Sequence, residues 1–300
     1  MQSALARYLN PELLAQIAHR RIEPAGLVLG NLAGAHKSPL AGFAVEFAGH
    51  REYVRGDDPR HIDWRLYFTR EKLFVKQYEM ETNFVAHLVL DVSASMRYGE
   101  GDSQKLLYAS RMAGTLAYAI IKQSDKASLA LFDDAVRAFI PPSGSLAQIV
   151  RMAGEFDATK PVAKTRMADC LVDLAGRMTR RELVLIFSDF LTDLDELEPA
   201  LQRLRYGRHE VVLFHVLHHD ELSFEFAGQV RFRGLETDDQ FLTQPNELRA
   251  AYLEEMARFT SRLDDLCYRN GIERVPVDTS RDMATVFTDY LTQRSLMARR

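Results

Sequence analysis

Cysteine is scarce, two in 300 residues. Cys170 and Cys267 both sit in helix-like patterns among apolar neighbours. As a disulfide they would be a single staple, so the expectation is two buried thiols in a reducing compartment. No apolar run approaches the ~20 residues that a membrane span requires. The stretch Met1 to Asn10 has no signal-peptide core either. These absences predict a cytoplasmic protein without a membrane span. The formal net charge is only −4, which argues against a general nucleic-acid binder. There is no internal repeat and no low-complexity tract. A Gly-rich phosphate loop followed by Lys-Ser/Thr is also missing, so the chain itself is not expected to hydrolyse nucleotides.

What is present suits a globular chain with a sizeable core: 47% of residues are hydrophobic and 27% charged. Residues 1 to about 25 read as helical, with a cap-like Asn10-Pro11-Glu12 and an apolar stripe of Leu13, Leu14, Ile17 and Ala18. Residues 25 to 50, with Gly26, Gly30, Gly34, Gly42 and Gly49, read as loops and short strands. A charged block follows from Glu46 to the only tryptophan, Trp64, and holds the turn Gly56-Asp57-Asp58-Pro59. Residues 72 to 79 alternate as a strand. This block is either a charged loop on a small β-rich subdomain or an ordered Arg/Asp network that clamps the subdomain or meets a partner.

From Phe84 onward strands and helices alternate. Strands are predicted at Phe84 to Asp91, Ala127 to Phe132, Val136 to Ile140, Glu182 to Phe187, Val211 to Leu217 and Ile272 to Val277. Asp133-Asp134 makes a hairpin of the second and third, and Pro141-Pro142-Ser143-Gly144 breaks the chain after them. Helices are expected from Asp102 or Ser103 to Gln123, Leu146 to Phe156, Met167 to Met178, Asp193 to Tyr206, Glu247 to Arg269 and Arg281 to Gln293. Residues 220 to 243, less regular, suggest a short hairpin or an edge excursion through Phe224, Phe226, Val230 and Phe232. The alternation predicts an α/β fold with a doubly wound, mostly parallel sheet. A small β-containing N-terminal subdomain over 1–82 would precede the main domain over 83–300.

The chemistry gathers where predicted strands end. Leu88-Val89-Leu90-Asp91-Val92-Ser93-Ala94-Ser95 takes an apolar strand into one carboxylate and two hydroxyls. Asp189 follows a later strand, and Thr165 lies in the loop opening the helix at Met167. The crevice beyond the carboxyl ends of parallel strands is the default ligand site of such sheets. Two carboxylates and three hydroxyls suit a hard cation, Mg²⁺ or alternatively Mn²⁺ or Ca²⁺, with a position left for an outside ligand. A protein partner's acidic residue could complete that shell.

The spacing Asp91-x-Ser93-x-Ser95, then Thr165, then Asp189, resembles the von Willebrand factor A domain and its metal-ion-dependent adhesion site, over roughly residues 83 to 290. All five ligand positions match. The Gly-Gly that often precedes the threonine is here Ala163-Lys164. Arg51-Glu52-Tyr53, Gly56-Asp57-Asp58-Pro59-Arg60 and Ile62-Asp63-Trp64 narrow the match. Together with Phe214-His215-Val216-Leu217 and Cys267-Tyr268-Arg269-Asn270-Gly271-Ile272, they are similar to the bacterial family called "domain of unknown function fifty-eight". That resemblance implies a non-enzymatic adaptor working with a MoxR-type AAA+ ATPase, chaperone-like, in maturation of other proteins or complexes.

A phosphatase-like, metal-dependent hydrolase with Asp91 as nucleophile is the alternative. Such enzymes usually place a second aspartate two residues on, where this chain has Ser93, and the pattern positions no lysine or histidine to assist. His215, His218 and His219 lack a second cluster at zinc-ligand spacing and are expected to be packed or solvated.

Overall fold

A computed structural model describes residues 2–17, 20, 22, 45–80, 84–159, 164–178, 181–235 and 240–297. The chain divides into two compact units, Gly26–Asn83 and a larger one made of Met1–Ala25 with Phe84–Arg300. The glycine-rich stretch up to residue 44, and Ala163 of the threonine loop, lie outside the described residues.

The first helices, α1 (Gln2–Tyr8) and α2 (Pro11–Ile17), group with the larger unit rather than with residues 26–83. Asn10 caps α2, its Oδ1 accepting from Glu12 N at 2.9 Å. The Tyr8 ring packs on Phe156, and its hydroxyl donates to Asp157 at 2.9 Å.

In the smaller unit β1 (Val45–Glu52) leads to α3 (Trp64–Arg70) and then β2 (Phe74–Met80), which pairs antiparallel with β1. The charged block forms an ordered network. Arg51 grips Asp57 through two bonds of 2.9 Å, and Asp57 Oδ2 also accepts from Val54 N at 2.9 Å. Asp63 Oδ1 caps α3 by accepting from Arg65 N and Leu66 N, while its Oδ2 meets His50 Nε2 at 2.9 Å. These acids fasten their own turn and helix start, as the Gly56-Asp57-Asp58-Pro59 chemistry implies.

The larger unit continues through β3 (Val85–Asp91), α4 (Lys105–Lys122), β4 (Lys126–Phe132), β5 (Val136–Ser143), α5 (Ala147–Ala158), α6 (Met167–Arg177) and β6 (Leu183–Ser188). After these come α7 (Leu194–Tyr206), β7 (Glu210–Leu217), α8 (His219–Ser223), β8 (Val230–Arg233) and β9 (Gln240–Thr243). The chain closes with α9 (Pro245–Asn270), β10 (Glu273–Asp278) and α10 (Met283–Met297). Six strands form one sheet in the order β10-β7-β6-β3-β4-β5. All neighbours are parallel except the β4–β5 hairpin. This is the doubly wound, mostly parallel α/β architecture that the alternation predicts, with one antiparallel edge.

Burial on both faces explains why these strands read as unbroken apolar runs. Leu88, Leu90, Phe187 and Phe214 pack on one face with α4 and α10 through Met112, Leu116, Phe287 and Tyr290. Val89, Ile186 and Leu213 face the other way, against Leu171, Leu201 and Leu263 of α6, α7 and α9. Two local expectations fail for identifiable reasons. Pro141 and Pro142 lie inside β5 instead of ending it, because β5 is an edge strand and need not donate outward. The cap of α4 is Gln104, whose Oε1 accepts from Leu107 N. Asp102 pairs with Arg111 at 2.8 Å instead.

Candidate metal centre

The central strand β3 and its neighbour β6 end side by side, and each delivers a carboxylate to the same place. Asp91, the last residue of β3, is fully buried; its Oδ1 accepts from Ser93 N at 2.9 Å and its Oδ2 from Ser188 Oγ at 2.7 Å. Ser93 Oγ and Ser95 Oγ lie 3.1 Å apart, so the alternate-position hydroxyls converge. Asp189 follows β6 directly, is 2% exposed, and accepts from Leu191 N at 3.2 Å. The Ser95 hydroxyl helps to hold its carboxyl below the usual range. Burial, reinforced by repulsion from Asp189, pushes the Asp91 carboxyl up to about 7. Immediately after Asp189, the buried Phe190 holds a left-handed backbone with φ +52°. A strained aromatic at this point marks a loop shaped by its surroundings.

Lysine takes part after all. Lys105, at the start of α4, is fully buried, and its Nζ donates to Asp189 Oδ2 and to Glu221 Oε1, both at 2.8 Å. Burial alone would lower its basicity; the charges of Asp189 and Glu221 override this and raise it. Burial likewise opposes ionisation of Asp189, and Lys105 outweighs it, holding that carboxyl below the usual range. Glu221 Oε2 accepts from His218 N at 2.8 Å, closing the capping box of α8. With Asp91 ionised, the carboxylates of Asp91, Asp189 and Glu221 and the one ammonium of Lys105 sum to two negative charges.

Thr165 directly precedes Arg166, the residue at which α6 begins, and Arg166 N donates to Asp133 O at 2.8 Å. That bond sets this turn on the β4–β5 hairpin, at the sheet end where Asp91 lies. Thr165 Oγ1 is buried without a hydrogen-bond partner. Contacts link Asp91, Ser93 and Ser95, and Asp189 acts on Asp91 through its charge, while Thr165 carries an orphan hydroxyl in a turn fastened to the same end of the sheet. Among the described residues no three His, Cys, Asp or Glu side chains gather as a metal cluster. The donor set is two carboxylates supplemented by hydroxyls. Hard oxygens, two mutually repelling buried carboxylates and an unsatisfied Oγ fit a hard divalent ion, which would restore what burial withholds.

The histidines lie elsewhere in role. His215 sits in β7 with its Nδ1 3.2 Å from Arg274; burial, then that guanidinium, push it down to about 4. His218 caps α8, and His219 pairs with Asp278. Ser128 Oγ, His87 and Glu182 form a buried line of contacts at 2.6 and 2.8 Å, with an arrangement like a hydrolase triad. It lies at the amino-terminal ends of β3, β4 and β6, and each member is at most 7% exposed, so it serves the core. Lys105, Ser188 and Glu221 escaped the sequence pattern. One signal for Lys105 was available: it lies on the stripe of Tyr108, Ala109 and Met112 that α4 buries.

A family model described as "Protein of unknown function DUF58" matches residues 49–262. An uncharacterized protein of Mycobacterium bovis and another of Mycobacterium tuberculosis are each 25% identical over 232 residues, covering 76% of this chain and 72% of theirs. Among solved structures, BatB from Bacteroides thetaiotaomicron is similar with a TM-score of 0.48 at 13% identity, over 73% of this chain and all of that one. The SpRpn10 VWA domain is similar with a TM-score of 0.40 at 10% identity, over 72% of this chain and 97% of that one.

Proposed function

Because the chain belongs to the DUF58 family, whose function its description leaves open, we propose that it is a non-enzymatic, metal-dependent protein-binding adaptor. Asp91, Ser93, Ser95, Thr165 and Asp189 would hold Mg²⁺, or Mn²⁺ or Ca²⁺, at the carboxyl end of the sheet. The ion would supply a Lewis-acidic position for an acidic side chain of the partner. The rest is the work of this chain's residues. Asp91 is fixed by Ser93 N and Ser188 Oγ, and Asp189 by Lys105 and Leu191 N. The observation that supports the reading most is the buried, partnerless Thr165 Oγ1, in a turn that Arg166 N fastens to Asp133 O at the same end of the sheet. The partner class follows from the family resemblance: a MoxR-type AAA+ ATPase, with this chain presenting other proteins or complexes for maturation.

Hydrolysis draws less support. The position two residues after Asp91 is Ser93, and Lys105 is engaged by two carboxylates at 2.8 Å. The test is capture of a MoxR-type ATPase by the wild-type protein and by Asp91→Ala and Ser93→Ala, with and without chelator. Capture is expected to need both the side chains and the ion. Equal capture under every condition would remove the metal from the function. Turnover of generic phosphoesters that needs Asp91 and metal would replace the adaptor reading with the hydrolase.

A further inference from the structure

Lys105 has no place in the five-ligand pattern, yet it is as fully buried as Asp91. Nothing exposes its ammonium, and both of its partners are carboxylates at 2.8 Å. One of them, Asp189 Oδ2, belongs to a candidate ligand; the other, Glu221 Oε1, belongs to α8. The remaining oxygen of Asp189 accepts from Leu191 N. Asp189 therefore reaches the centre with its charge already compensated, whereas Asp91 has only hydroxyl and amide donors.

We propose that Lys105 is a resident counter-cation that competes with the divalent ion for Asp189, so that ion affinity is set by an ammonium inside the protein. The inference rests on the metal-binding reading above. A divalent ion drawing on both carboxylates must either share Asp189 with the ammonium or displace it toward Glu221. Both routes weaken ion binding relative to a free aspartate, because like charges repel strongly where water is excluded. With Asp189 so held, the ion keeps one unshared anionic protein ligand, Asp91. Such an ion stays electrophilic toward an incoming carboxylate. Lys105 is thus a positioning residue, acting through Asp189. The same ammonium supports α8 through Glu221, whose other oxygen caps that helix at His218 N.

The experiment is isothermal titration with MgCl₂ and MnCl₂ on the full chain, using wild type, Lys105→Met, Lys105→Met/Glu221→Gln and Asp91→Ala. The double variant removes one positive and one negative charge, so the cluster keeps its net charge while Asp189 loses its partner. The amide introduced by Glu221→Gln retains an acceptor for His218 N, which protects folding if the single variant is too unstable. Both lysine variants are expected to bind Mg²⁺ at least ~10-fold more tightly than wild type, and Asp91→Ala to lose the binding. If folded lysine variants bind Mg²⁺ as wild type does while Asp91→Ala loses it, the counter-cation role is overturned and the metal reading stands. If tightening appears in Lys105→Met but not in the double variant, only net charge matters and competition for Asp189 is refuted. If wild type and every folded variant fail to bind either ion, the metal reading falls and this inference with it.

Discussion

Replacing Asp91 by asparagine in the presence of chelator isolates the electrostatic cost that burial imposes on the centre. Burial, then the neighbouring charge of Asp189, raises this carboxyl from 3.8 to about 7, against the opposing hydrogen bonds from Ser188 and Ser93. In the unfolded chain the group titrates at its ordinary value. The folded state therefore holds a proton more tightly between about pH 4 and pH 7. The stabilisation this gives is complete below the unfolded value and is lost as pH rises through the folded one. A shift of about three units corresponds to roughly 4 kcal/mol by about pH 8. Asparagine carries no charge and removes that dependence. It keeps an acceptor for Ser93 N but disturbs the bond from Ser188 Oγ, which also accepts from Phe190 N, at a cost of about 1 kcal/mol. Asp91→Asn should thus be more stable than wild type by ~2–3 kcal/mol near pH 8 and slightly less stable near pH 4, where the proton is bound in both states of wild type. Urea denaturation at the two pH values, with chelator throughout, measures this. A variant less stable than wild type near pH 8, or a gap that ignores pH, would refute the reasoning. Millimolar Mg²⁺ should then raise the melting temperature of wild type and leave the variant unmoved.

Three further outcomes test the frame around the site. Arg294, 3% exposed, binds Glu210 and, at 3.0 Å, Glu273; Arg294→Met takes the guanidinium from two part-buried carboxylates and should lower unfolding free energy by about 3–5 kcal/mol in urea. Gly271 ends α9 at φ +61°, and an added Cβ would lie 3.2 Å from the Arg205 guanidinium; Gly271→Ala should cost about 1 kcal/mol, read as a lower denaturation midpoint. Ser128→Ala removes the hydroxyl on His87 and should cost about 1 kcal/mol without reducing partner capture. Wild type should not be labelled by a serine-directed fluorophosphonate, and labelling lost in Ser128→Ala would turn the buried line into a catalytic one.

The sheet was legible in the sequence because strands buried on both faces spell continuous apolar runs, as in Leu183–Ser188 and Glu210–Leu217. The hairpin at Asp133-Asp134 and the stop of α9 at Gly271 were legible for local reasons of turn and cap chemistry. Asp91, Ser93, Ser95 and Asp189 could be read because they fall next to strand ends, and strand ends are where a parallel sheet concentrates its ligands. Lys105 could not be weighed in the same way. Its partners stand 84 and 116 residues further on, and only the closed sheet brings them to 2.8 Å. A lysine at a helix start reads as solvated until the far side of the fold supplies its counter-charges. The prolines of β5 misled for a related reason, since position in the sheet, not the local run, decides whether proline can stay.

Those prolines have a consequence beyond strand boundaries. The outermost strands of the six-stranded sheet are β5, with Pro141 and Pro142, and β10, with Pro276. Each rim of the sheet thus lacks amide protons where an incoming extended peptide would look for a continuous ladder. Recruitment by strand addition, a frequent way for one chain to recognise another, is disfavoured along both rims. Contact with this sheet is left to the side chains of its loops and helices, and its rims are poor templates for stacking edge to edge with another copy.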